Sequence, residues 1–390
     1  MIYINDFCSI SALGSSEKEI INSLSNPYED RLHEVKGLLL NDKTSFFGEV
    51  KATLPDISEF KKHNSRNNAF LAYCVNALKD TIEYFKGKYS HERIGIVLGT
   101  STSGLNEFEL SLEKFNKTLD PEDKESFDIQ AFGGPSVFLA KYLSLKGPAY
   151  TISTACSSSA RALWSAKRLI EKDICDVVIA GGADTLCKVP INGFDCMSVL
   201  SYKRCIPFCK NRNGINIGEA AGLMVLSKEK AKLSLNGCGQ SSDAYHISSP
   251  EPSGKGAIAA IYDALSDASL KLEDIGYINM HGTGTILNDA MESKAVATVF
   301  KDSVPCSSTK YLTGHTLGAA GILEACILAS LLKHDLDLPV QDFSKDEIDD
   351  TLAKCNLVRE KIKSKTDYMM SNSFAFGGNN SSIIIGRNHD

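Results

Sequence analysis

No two of the twelve cysteines stand at the C-x2-C spacing of a zinc site. The nearest pair, Cys205 and Cys209 in CIPFC, is separated by three residues and has no matching second pair, so no metal is expected. No secretory leader is expected either: MIYINDFCSI has no basic stretch, and Asn5 and Asp6 break its apolar run. The expectation is a cytoplasmic protein whose thiols stay reduced. Most of them then read as small buried hydrophobes and not as a disulfide framework. Long apolar runs are lacking as well. The longest apolar helical pattern, Leu317 to Leu332, is too short to span a bilayer and carries Glu324. Basic residues are not in excess either: 42 Lys and Arg against 48 Asp and Glu give a net charge of −6. That argues against nucleic acid as a partner and leaves room only for local basic patches. Pro/Ser-rich linkers, low-complexity tracts and short-period repeats are absent. So is the G-x-S-x-G of serine hydrolases.

What is present is a long chain of ordinary globular composition, 390 residues with 43% hydrophobic and 23% charged. Cores of that size tend to divide, so one large composite domain or two closely packed halves is expected. Short β-branched runs end in Gly, Ser or Thr at 94–104, 149–159, 175–185 and 221–227. A second series follows at 275–285, 304–310, 368–378 and 381–386. Helical patterns at 254–270, 288–300 and 317–333 alternate with them, so the fold class is α/β. Polar residues gather just past the strand ends, where such folds build their sites. Four loops stand out.

The first is TISTACSSSARAL (151–163), where Cys156 falls between a strand and a run of small helix formers. A sulfur at a helix N-terminus favours the thiolate, so its pKa is expected below the free value of about 8.5. The Cys156 N–H then faces any oxyanion on an acyl group carried by the sulfur. An inert buried thiol is the competing reading, and the better one for the other eleven cysteines. In NMHGTGT, His281 is followed by Thr283 and Thr285 among glycines; a histidine satisfied structurally at a strand end is the plainer alternative. In STKYLTGHTLGAAGILEA, Lys310 precedes His315, and the following helix is apolar nearly all round. Glu324 within it needs a partner, and Lys310 is the natural one, whether for catalysis or as a structural ion pair. The fourth, NSFAFGGNNSS, reads as a hairpin turn or as a turn whose backbone N–H completes an oxyanion hole, with an aromatic lid.

Together TACSSS, HGTGT, KYLTGHTLGAAG and NSFAFGGNN resemble the motifs of the β-ketoacyl-acyl carrier protein synthases, the elongating condensing enzymes, in order and in spacing. The match is weakest before residue 90. PFCKNRNGINIGEAAGLMVL (207–226) is similar to a further loop of that family but has Cys209 and Asn213 where acids are common and Ala220 for glycine. GTSTSGLNE, ADTLCKVPINGF and SSDAYHISSP resemble more specifically the ketosynthases of bacterial aryl polyene pathways.

The resemblance implies a thiolase-like five-layer αβαβα fold built from two similar halves, 1–228 and 229–390, in one compact unit, normally dimeric, and an acyltransferase acting on carrier-bound thioesters with no metal or diffusible cofactor. It implies Cys156 as nucleophile, His281 and His315 as Nε2–H donors, and Lys310 paired with Glu324 to hold His315. The N–H groups of Cys156 and Phe376 would form the oxyanion hole, and Thr283 and Thr285 would contact pantetheine. An acidic carrier protein would dock on Lys61, Lys62 and Arg66, although a solvated helix face explains those cations equally. The partner would be a second copy or a ketosynthase-like chain-length subunit, with Ser158, Ser159, Ala160 and Ala162 suited to close packing. General fatty-acid elongation is the alternative function. A non-catalytic chain-length subunit would lack Cys156, and a thiolase would need a second cysteine where FAFGG stands.

Overall fold

The computed structural model describes residues 1–40, 43–120 and 127–389. Thirteen strands are present among these residues: β1 (Ile2–Ile10), β2 (His33–Val35), β3 (Ser45–Phe47), β4 (Ile94–Gly99), β5 (Ala149–Ile152), β6 (Val177–Asp184) and β7 (Ala220–Ser227) come first. They are followed by β8 (Leu233–Ser242), β9 (Ile275–Asn279), β10 (Pro305–Ser307), β11 (Asn356–Leu357), β12 (Tyr368–Ala375) and β13 (Asn379–Arg387). β2 and β3 form a separate hairpin, and the other strands make one sheet ordered β11-β10-β9-β12-β13-β8-β1-β7-β6-β4-β5.

Connectivity exposes an internal repeat that the residues conceal. In the first half β4 lies parallel to β5 and β6, then β6–β7 and β7–β1 are antiparallel. In the second, β9 lies parallel to β10 and β12, then β12–β13 and β13–β8 are antiparallel. The halves are joined by a short antiparallel ladder, Ile2–Ile4 against Leu233–Leu235.

Three apolar clusters make this a five-layer molecule. One lies outside the first half-sheet, around Phe70, Phe138 and Leu223, and one outside the second, around Ile261, Val296 and Ile384. The central cluster holds the helices Ser158–Glu171 and Ala320–His334 between the half-sheets. The central helices are poor in bulk because they touch. A Cβ on Gly321 would stand 2.6 Å from the backbone nitrogen of Ala160, and one on Gly99 of β4 would stand 2.3 Å from that of Ser159. This corrects the expected use of Ser158, Ser159, Ala160 and Ala162. They are buried inside the chain, against β4 and the helix Ala320–His334, and are not open to a partner. The apolar stretch Leu317–His334 is 89% buried, which accounts for its composition.

Candidate active site

Cys156 occupies a tight turn between β5 and the helix Ser158–Glu171. Ala155 takes the left-handed conformation (φ 52°), which swings the next residue toward the interior. The serines of TACSSS hold this turn. Ser158 Oγ donates to the Ala155 carbonyl and accepts from the Thr154 N–H at 2.9 Å, while Ser157 Oγ donates to the Thr154 carbonyl at 2.8 Å. The sulfur is held inside, with Cys156 6% exposed.

The other motifs arrive from the second half. His315 Nε2 lies 3.0 Å from Cys156 Sγ. The His281 ring stands edge-on to the His315 ring, centroids 5.3 Å apart. Lys310 Nζ lies 3.5 Å from His281 Nδ1 and forms a buried ion pair with Glu324, which also accepts from Ser371 Oγ at 3.3 Å. An ammonium has only donors, so it makes Nδ1 the acceptor and places the ring proton of His281 on Nε2, facing the site. The sequence reading joins Lys310 to His315; its contact is with His281. His315 Nδ1 has no hydrogen-bond partner among the described residues.

The backbone N–H groups of Cys156 and Phe376 both address the sulfur. Phe376 sits in the turn between β12 and β13, where Gly377 (φ 78°) and Gly378 (φ 69°) reverse the chain, and its ring packs on Phe194 at 5.8 Å. Thr283 and Thr285 share a hydroxyl hydrogen bond of 3.0 Å. Thr285 and Phe376 line a cavity of about 280 Å³ together with Met197, Ile286 and Leu287, all well exposed.

Electrostatics revise one expectation. Burial pushes the Cys156 thiol up to about 11, against the opposing pull of Lys310 and the two N–H groups. The helix end does not offset the loss of water around the sulfur, so the resting group is a thiol. Burial, reinforced by the Lys310 charge, holds both histidines well below the usual imidazole range. At neutral pH they are uncharged and act as hydrogen-bonding groups.

Of the buried acids that escaped the sequence reading, Glu292 and Asp184 brace the site. Glu292 accepts from the N–H groups of His281 and Gly282, both at 2.7 Å, and fixes the HGTGT turn; burial raises its pKa to about 8. Its signal was present: within the helix Ile286–Phe300 it shares the buried face with Ala295 and Val296. Asp184, at the end of β6, accepts from the N–H groups of Ser101 and Thr102 and, at 3.1 Å, from that of Ala319. It thereby ties the first half to the start of the helix Ala320–His334.

The expected docking cations separate. Lys61 and Lys62 lie exposed in the turn Lys61–His63, and Lys141 joins them through His63 at 3.0 Å. Arg66 is engaged elsewhere: it forks onto buried Glu219 (2.5 and 3.2 Å) and covers the Phe70 ring. Of the departures from the family loop, Asn213 accepts from Ser201 Oγ at 2.6 Å and Cys209 is buried.

Family models for the β-ketoacyl synthase N-terminal and C-terminal domains match residues 18–232 and 233–343. This chain is a β-ketoacyl synthase. It is 33% identical over 374 residues to the 3-oxoacyl-[acyl-carrier-protein] synthase 2 of Vibrio cholerae serotype O1, covering 89% of each chain. A barley chloroplastic synthase I (Hordeum vulgare) is 30% identical, with 88% of this chain and 79% of that one covered. Among solved structures, a ketosynthase (ApeO) of Xenorhabdus doucetiae in complex with its chain length factor (ApeC) superimposes with a TM-score of 0.96. It is 45% identical, and the alignment covers 99% and 98% of the two chains.

Proposed function

We propose that this β-ketoacyl synthase elongates an acyl chain held on Cys156 by decarboxylative Claisen condensation with a malonyl-carrier thioester, without a metal or diffusible cofactor. The observation that carries the reading is the convergence of Cys156 Sγ, His315 Nε2 and the Nε2–H of His281 in one buried pocket. In the first half-reaction the sulfur attacks the acyl-carrier thioester as its proton passes to His315 Nε2. The N–H groups of Cys156 and Phe376 hold the tetrahedral oxyanion, and the departing carrier thiolate recovers the proton. Malonyl-carrier then enters with its pantetheine along Thr283 and Thr285. Loss of CO2 leaves an enolate whose oxygen receives Nε2–H from His281, and His315 joins as the second donor once its ring proton has moved from Nδ1 to Nε2. Attack on the acyl-cysteine releases the β-ketoacyl-carrier and a Cys156 thiolate, which takes up a proton.

Resemblance to aryl polyene ketosynthases, together with the 45% identity to a ketosynthase solved with a chain length factor, supports an aryl polyene or related pathway and a heterodimeric working unit. The curated relatives favour ordinary fatty-acid elongation as the second reading. Intact-mass measurement after incubation with polyene-type and saturated acyl-carrier thioesters separates the two by the adduct that accumulates. His281→Ala should still allow Cys156 acylation yet lower CO2 release from malonyl-carrier roughly 10²–10³-fold. Unchanged CO2 release would remove His281 from the mechanism.

A further inference from the structure

Cys156, His281 and His315 present three ligand atoms within 4.8 Å of one another, all on buried residues. One sulfur and two imidazole nitrogens form a ligand set suited to zinc or another thiophilic dication. An enzyme built around such a set is exposed to capture of its nucleophile by metal. We propose that Lys310 denies this site to thiophilic metal ions.

The argument lies in the direction of the hydrogen bonds. To bind a dication, Cys156 must release its thiol proton and both histidines must turn a bare Nε2 to the metal. A neutral imidazole with a bare Nε2 carries its proton on Nδ1, and metal-ligating histidines ordinarily donate that N–H to a carboxylate or carbonyl. At His315 no cation faces Nδ1, which has no hydrogen-bond partner among the described residues. For His281 the place of the usual acceptor is taken by an ammonium, Lys310 Nζ, 3.5 Å from Nδ1. A proton on Nδ1 would point at a group with no lone pair. Lys310 therefore locks His281 in the tautomer whose Nε2 carries hydrogen and has no lone pair for a metal. It also places a fixed positive charge behind the pocket. Glu324 holds that ammonium in place and, packed between it and Ser371, is kept from serving as the acceptor that His281 would need. The feature that aims the Nε2–H of His281 at an enolate is thus also the one that keeps the triad free of metal.

Cobalt(II) is the probe, because thiolate ligation gives a charge-transfer absorption independent of turnover. Lys310→Gln/Glu324→Gln replaces the ion pair by a neutral amide pair, and the amide carbonyl it introduces beside His281 can accept an Nδ1–H. This double variant should bind Co²⁺ roughly 10–100-fold more tightly than the parent enzyme, with the thiolate band, and adding Cys156→Ser should abolish that band. Lys310→Arg keeps charge and donors and should behave as the parent. Equal Co²⁺ affinity in parent and double variant overturns the proposal, as does a natively folded double variant without the thiolate band. Tight, thiolate-type Co²⁺ binding by the parent enzyme overturns it with no variant required. None of these outcomes bears on the condensation chemistry, which intact mass and CO2 release test separately.

Discussion

At Cys156 two effects compete, and their sizes decide the state of the sulfur. Two N–H groups and the Lys310 charge favour the thiolate, but removal from water outweighs them and leaves the pKa at about 11. Iodoacetamide labelling of Cys156 should therefore quicken by roughly tenfold per pH unit between about pH 7 and pH 10, without levelling off. A plateau below about pH 8.5, measured by peptide mapping, would show a thiolate already formed. TACSSS thus reveals where the nucleophile sits but not its ionisation, because desolvation depends on chains remote in sequence. Glu292 supplies a second titration. Its folded pKa of about 8 lies above the ordinary carboxyl value of 4.5, so the stability of its protonated form is lost as pH rises between the two. The histidines act in the opposite sense below their ordinary value of 6.5, which leaves Glu292 dominant above it. Between about pH 6.5 and pH 8 the unfolding free energy should fall by up to ~1.4 kcal/mol per pH unit. Glu292→Gln should flatten that slope in denaturant titrations; an unaltered slope would assign the proton elsewhere.

Among the elements, strands rich in β-branched residues were plain in the sequence, and the ones that were not had physical reasons to hide. β8 reads LSLNGCGQSS, poor in strand formers, because the helix Lys255–Ala268 lies directly upon it. A Cβ on Gly237 would stand 2.1 Å from the Ala264 carbonyl oxygen, and one on Gly239 only 1.9 Å from that of Ala260. Close packing has replaced propensity there. Gly239→Ala should force the helix away from the sheet at a cost of about 1–3 kcal/mol, visible as a lowered melting temperature. An unchanged melting temperature would mean that the helix yields freely. β1 was missed for another reason: Asn5 and Asp6 interrupt its apolar pattern, and they coincide with the shift in register between Ile4 and Asp6. All four site loops were legible because each combines a strand end with chemically distinctive residues. The Lys310–His281 contact was not, since it is made across 29 positions of sequence.

On the scale of the whole molecule, charge is spread so that a mildly acidic protein still offers a basic spot at Lys61, Lys62 and Lys141. If a carrier protein docks there, Lys61→Glu/Lys62→Glu should raise the apparent KM for carrier thioesters and weaken its salt dependence, with kcat retained. An unaltered KM at low salt would place docking on another face. Arg66 is unsuited to the same experiment, since removing it strands Glu219 in the interior. Finally, the short ladder joining the halves gathers three distant points of the chain. β1 starts at Ile2 beside Leu235, β8 starts at Leu233, and β13 ends at Arg387 opposite that same Leu233. Asn388 hydrogen-bonds through its N–H to the Lys232 carbonyl at 2.8 Å. The beginning of the described chain, the junction of its halves and its end thus meet at one place. Linking the ends of this 390-residue chain and reopening it within 228–232 would reverse the order of the halves along the polypeptide while keeping every strand pairing. This synthase is therefore a natural subject for circular permutation.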